Sequence, residues 1–172
     1  MKILPILLSS IAFGSVAAHA SSTIPDGWAG LYKGECDLIS PQRGAYLNFA
    51  MSLEIANQEN GEVSWVLTYG SAPSQSIRNY NLLMIDETKG HYAIDENNGI
   101  IIDQFLVGNE FVSMFEIGSS KIQTTYALNS NGTLDVSMDN FTFETIRDAK
   151  VGPYTVANYG VKVKQKCRLH RW

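Results

Sequence analysis

The chain reads as an all-β protein, a single antiparallel up-and-down β-barrel of about 8–10 strands. Three observations predict it. Apolar residues alternate with period two through almost all of the sequence after residue 27, and no window there holds a 3.6-residue period over three turns. Turn chemistry recurs at short intervals, in pairs such as Asn60-Gly61, Asn98-Gly99 and Asn131-Gly132. The runs follow one another without long crossovers, so consecutive strands pair as hairpins, and a meander of many short strands closes most simply on itself.

The opening strand is expected over residues 27–36, with Trp28, Gly30, Tyr32, Gly34 and Cys36 on one parity. Two glycines on one face of a strand point to sharp bending or close backbone approach, which closing a barrel requires. In the next run Leu47, Phe49, Met51, Leu53 and Ile55 alternate with polar or small residues, the pattern of a half-buried strand. After Asn60-Gly61, Val63, Trp65, Leu67 and Tyr69 share a face, and a small-residue loop over 70–76 leads to a strand over 77–85 with Arg78, Tyr80, Leu82 and Met84 on one side. Strands over 91–95, 100–107, 110–117 and 121–128 follow, each set off by a Gly-containing turn; Phe111, Ser113, Phe115 and Ile117 share a face of the third of these. In 133–146 the apolar parity switches, from Leu134, Val136 and Met138 to Phe141 and Phe143, so a β-bulge is expected near Asp139-Asn140. Residues 148–158, which include Gly152-Pro153, read as a loop, and the last strand runs over 159–171 with Val161, Val163, Cys167 and Leu169 on its apolar side.

Residues 1–20 have the three parts of a secretory signal peptide: Lys2, an apolar run from Ile3 to Val16, and Ala18-His19-Ala20. Cleavage after Ala20 leaves residues 21–172 as one barrel domain, periplasmic or secreted. No later run approaches the roughly 20 apolar residues of a membrane helix, so no integral membrane segment is expected. The composition is 45% hydrophobic and only 17% charged, outside the range of disordered chains. A formal net charge of −4 lacks the basic balance of a nucleic-acid binder.

Cys36 and Cys167 are the only cysteines. In an oxidising compartment an even pair is most simply one disulfide, and free thiols are the alternative. Two Cys without a clustered His pair make a poor zinc site. If the first and last strands are neighbours, both sulfurs fall on one side of the sheet. The stripe Lys162, Lys164, Lys166 and Arg168 reads as a solvated edge defence, or else as an anion or headgroup patch. The oxygen-rich run Asp95 to Gly99 lacks the spacing of an EF-hand loop and reads as a hairpin turn. His91 and His170 fall outside any catalytic motif and read as surface residues.

The Gly27-Trp28-x-Gly30 opening, the meander, and the Cys pair tying the first strand to the chain end resemble the calycin group of lipocalins and fatty-acid-binding proteins. The usual lipocalin opening has Gly two residues before Trp, where this chain has Asp26. The resemblance implies a calycin-like barrel whose cavity takes small apolar molecules.

Phe49, Met51, Trp65, Tyr69, Phe115 and Tyr126 fall on the expected inward parities, with Ser113 and Thr124 among them. A small barrel either fills with such side chains or leaves room for one ligand, and inward hydroxyls need partners. These six residues are the expected contacts of a small hydrophobic ligand. The leading expectation is a non-catalytic binding module without metal or cofactor. The alternative is an envelope structural or interaction domain with a packed barrel.

Overall fold

The period-two runs pair in chain order, and the ring shuts where the first strand meets the last. The computed structural model describes residues 24–172; the leader expected over 1–20 lies outside the described residues. The strands are β1 (Gly30–Ser40), β2 (Gly44–Asn57), β3 (Val63–Tyr69), β4 (Ser76–Asp86), β5 (His91–Asp95), β6 (Ile101–Val107), β7 (Glu110–Ile117), β8 (Ser120–Leu128), β9 (Thr133–Val151) and β10 (Tyr154–Arg171). They form one closed antiparallel barrel in up-and-down order, with β1 paired to both β2 and β10. The helical content among the described residues is one short 3₁₀ turn, Glu87–Lys89, and no helix there is long and apolar enough to cross a membrane.

Closure depends on the glycines of β1. A Cβ built on Gly34 would stand 2.0 Å from the Arg168 carbonyl oxygen, so only glycine lets β10 come this close. Two residues on, Cys36 and Cys167 stand directly opposite each other, with their Cα atoms 4.0 Å apart, and are disulfide-bonded. Both cysteines point inward and are buried. Met51 packs on them, its Sδ 3.4 Å from Cys36 Sγ and 3.5 Å from Cys167 Sγ. The buried Gln165 amide donates toward Cys167 Sγ at 3.2 Å.

The outer face of this seam is a lattice of opposite charges. Glu35 lies opposite Arg168 and Asp37 opposite Lys166 across β1–β10. On the other side Arg168 makes two bonds to Asp135, at 2.8 and 3.1 Å, and Lys164 lies 2.7 Å from Asp139. The basic stripe is therefore not an edge defence, because β10 from Lys164 onward is paired on both sides. Lys162, the first residue of the stripe, lies beyond the doubly paired part of β10 and reaches back to the Ser119 carbonyl and Ser120 Oγ. Facing acids balance the remaining cations, which removes the basis for an anion patch.

Two other sequence expectations are corrected. The 148–158 region is no loop: β9 and β10 continue as a two-stranded ribbon to a tight turn at Gly152-Pro153. Pairing of β9 with β8 ends at Thr142, and pairing of β10 with β1 ends at Lys164, so the ribbon projects beyond the barrel. The bulge expected near Asp139-Asn140 is displaced along the strand. Pairing of β9 with β8 is unbroken from Leu134 to Thr142, but its ladder with β10 shifts three times: Lys162 is extra in β10 opposite Asn140 and Phe141, residues 142–144 of β9 lie against Gly160 alone, and Ile146 is extra between Thr145 and Arg147. Phe141 pairs with the outward residue Lys121, and Phe143 stays 40% exposed. Its ring and that of Tyr159 each lie 5.0 Å from Lys121 Nζ, a cation–π contact. Where the strand leaves the ring there is no core for these aromatics to enter.

The disulfide closes a 131-residue separation, and on the chain-entropy model such a link stabilises by about 5 kcal/mol. Replacing Cys36 and Cys167 together by Ala should lower unfolding stability by about 2–5 kcal/mol in denaturant titration. Wild-type protein should show no free thiol when denatured without reductant. An unchanged midpoint in the double variant would show that the seam holds without the link.

Candidate functional site

The barrel interior has two unlike ends. At the end where β1 begins, residues 24–29 bend across the opening and insert Trp28, which is 2% exposed. Its ring meets Phe111 edge-on at 4.6 Å, and Phe111 in turn packs against Trp65 at 5.8 Å and Tyr92 at 5.1 Å. The Tyr32 hydroxyl donates to the Trp28 carbonyl at 3.0 Å and accepts from Arg171 Nη2 at 2.7 Å. Arg171 also binds the carbonyls of Gly27 and Ala29. The last residues of β10 thus clamp the N-terminal segment over a packed end.

The opposite half holds a cavity of about 150 Å³. Its walls are inward-facing residues of seven consecutive strands: Trp65, Leu67 and Tyr69 on β3, Tyr80 on β4, Ile94 and the adjoining Glu96 of β5, Ile102 and Gln104 on β6, Ser113 and Phe115 on β7, Thr124 and Tyr126 on β8, and Met138 on β9. Trp65 separates the two halves, with Phe111 on one side and the Tyr126 ring edge-on at 5.1 Å on the other. A larger hollow, about 530 Å³, lies outside the barrel on the charged face of β1, β8, β9 and β10. It is lined by the paired charges described above, whereas the interior cavity combines apolar walls with a few convergent polar groups, the pattern of small-molecule sites.

Those polar groups are hydroxyls, one amide and one carboxylate. Ser113 Oγ and Thr124 Oγ1 are 2.6 Å apart and share one of their two protons. Gln104 is 2% exposed, and its Nε2 has no hydrogen-bond partner. Burial pushes the Tyr69 phenol up to about 12, and the neighbouring Tyr80 adds to the effect. Burial raises the Tyr126 phenol as well, with Tyr69 adding to it and Trp65 acting in the opposite direction. The Tyr80 phenol is raised first by burial and then by Glu96. The phenols are therefore neutral hydroxyls at ordinary pH. Among the described residues no three His, Cys, Asp or Glu side chains cluster as metal ligands. His91 is outside the barrel, its Nε2 2.7 Å from Asp103 Oδ1 and its ring stacked on Phe105 at 4.7 Å.

Of the six residues expected to meet a ligand, the structure brings four together: Trp65, Tyr69, Phe115 and Tyr126 line the cavity. Met51 and Phe49 do not. Met51 is buried against the disulfide, and Phe49 packs on Tyr69 with ring centroids 6.2 Å apart. Sequence reasoning placed Ser113 and Thr124 correctly on inward faces but missed Gln104 as a wall residue. In β6 both parities are apolar, with Ile101, Phe105 and Val107 facing out and Ile102 and Leu106 on the inward face with Gln104. Pairing of Gln104 with the buried Tyr92 is the signal that settles its side, and that register is not visible in one sequence.

No protein family matches this chain, and no curated protein matches it. What the fold itself defines is a closed ten-stranded meander barrel, sealed at one end and hollow at the other.

The Tyr69 phenol has a folded pKa of about 12 against about 10 in the unfolded chain. The folded state keeps a proton that the unfolded state releases. The associated stability is complete below pH 10 and is lost as pH rises through 12. Phenolate absorbance should therefore rise in separate steps, with Tyr69 ionising only near pH 12 or on unfolding, and Tyr69→Phe should reduce the late component by one phenol while that of Tyr126 remains. Complete titration of all phenols near pH 10 in still-folded protein would contradict the burial of this wall.

Proposed function

We propose that this chain is an exported, non-catalytic β-barrel that holds a small apolar or amphipathic molecule in its interior. The observation that carries the reading is the cavity walled by Trp65, Tyr69, Phe115 and Tyr126, with the Gln104 amide and the Ser113–Thr124 hydroxyl pair turned inward beside them. A barrel evolved only for stability has reason to fill such a space, because an empty cavity destabilises by about 24 cal/mol per Å³. The calycin-like opening around Trp28 agrees with a barrel sealed at one end and receptive at the other. The leader-like residues 1–20 and the disulfide both favour an oxidising compartment outside the cytoplasm.

A second reading is an envelope structural or interaction domain with no small-molecule ligand. The projecting β9–β10 ribbon favours it, since Val151 and Tyr154 at its tip are 74% and 72% exposed. Edges and apolar side chains left open in this way are common in contact surfaces.

Native mass spectrometry of the protein isolated from its own host without denaturation separates the two. Under the first reading, part of the protein carries added mass that organic extraction removes. Thr124→Phe should lower that occupancy at least tenfold while costing about 1–3 kcal/mol of stability through overpacking. Wild-type protein without added mass, or occupancy untouched by Thr124→Phe, would leave the second reading in front.

A further inference from the structure

The cavity's size and its one unsatisfied donor narrow the ligand further than its apolar walls do. An engineered cavity of about 150 Å³ holds benzene or xenon, and the space here is also about 150 Å³. That is room for one ring, not for an extended acyl chain. Gln104 Nε2 is buried without a partner, and an unmet buried donor costs about 1–3 kcal/mol. The group on the wall is an N–H donor, so the complementary atom is an acceptor. The Ser113–Thr124 pair adds a second proton beyond the one the two hydroxyls share. Charge sets a third limit. Glu96 is the one ionised group in the lining, and the nearby cation, Arg78, is exposed. An anionic head would meet a carboxylate and lose its hydration without gaining a buried counter-ion.

Resting on the interior-ligand reading, we propose that the cavity selects an uncharged molecule the size of a single six-membered ring that carries one hydrogen-bond acceptor, which the Gln104 amide N–H meets. The ring packs among Trp65, Phe115 and Tyr126, where aromatic edges and faces favour another flat ring. An occupant of this kind satisfies the donor and fills the space together. Trapped water would satisfy the donor alone.

Benzonitrile and toluene share a ring and differ in the acceptor, so the exported protein titrated with each isolates the Gln104 contact. Benzoate tests charge and dodecanoate tests length. Benzonitrile should bind about tenfold more tightly than toluene, with its nitrile stretch shifted as in a hydrogen-bonded nitrile. Benzoate and dodecanoate should bind more weakly than either. Gln104→Leu should erase the preference while keeping toluene binding. If that variant does not fold, the wild-type ratio and the nitrile shift decide the matter by themselves. Equal affinity for benzonitrile and toluene, or tighter binding of benzoate or dodecanoate, would overturn the ligand class and leave the interior-ligand reading standing. Failure of all four to bind, with ordered water on Gln104 Nε2 in a crystal structure, would overturn both.

Discussion

The close approach of β1 to β10 is the constraint on which the rest of this barrel depends. An open ten-stranded meander would leave two long edges and no shared interior. Closing it requires the first and last strands to meet within hydrogen-bonding distance, and Gly34 permits that meeting where any Cβ would strike the Arg168 carbonyl. The disulfide between Cys36 and Cys167 then makes the seam covalent. At the chain end, the Trp172 N–H donates to the Leu31 carbonyl at 2.8 Å, while Arg171 clamps the covering segment. Sequence positions at opposite ends of the chain thus meet along one line, and the N-terminal cover is placed by the same residues that finish the last strand.

From that closure follows the difference between the two ends. Trp28, Phe111 and Tyr92 fill the covered end edge to face, the arrangement aromatic rings prefer. The other end has no cover among the described residues comparable to residues 24–29. Its inward positions carry smaller or more polar side chains: Ser113, Thr124 and Gln104 share the wall with Tyr69 and Tyr126. Small hydroxylic residues leave volume, and buried polar groups ask for partners. Volume and unmet polarity coincide in one half of the barrel, which makes that half the candidate site rather than the larger charged hollow outside.

Much of this was legible in the alternation. In β2 and β3 one parity is apolar and the other polar or small over most of the strand, so Met51, Leu53, Ile55, Val63, Trp65 and Leu67 could be placed inside from sequence, and all are buried. The cysteines shared an apolar parity on strands that closure would join, and they are bonded. What escaped the sequence did so for physical reasons. β6 is apolar on both faces, so Gln104 gave no sign of which way it turned. The switch of parity at Phe141 and Phe143 looked like a bulge because apolar residues were assumed to seek the interior. β9 instead leaves the ring after Thr142, its extra residues fall at 142–146 opposite β10, and the Phe143 ring meets Lys121 Nζ on the outer face. Gly152-Pro153 marked a turn, but the residues on both faces around it are exposed, Val151 and Tyr154 among them, so no buried parity marked a ribbon that has no core to pack against.

The central claim is a barrel packed at one end and hollow at the other, with Trp65 between. Xenon-pressurised crystals test it most directly, because xenon enters cavities of this size and shows as strong density. The account predicts a xenon site bounded by Trp65, Phe115, Thr124 and Tyr126, and none between Trp28 and Phe111. Side chains collapsed across the space with no xenon beside Tyr126, or xenon lodged instead beneath Trp28, would contradict it.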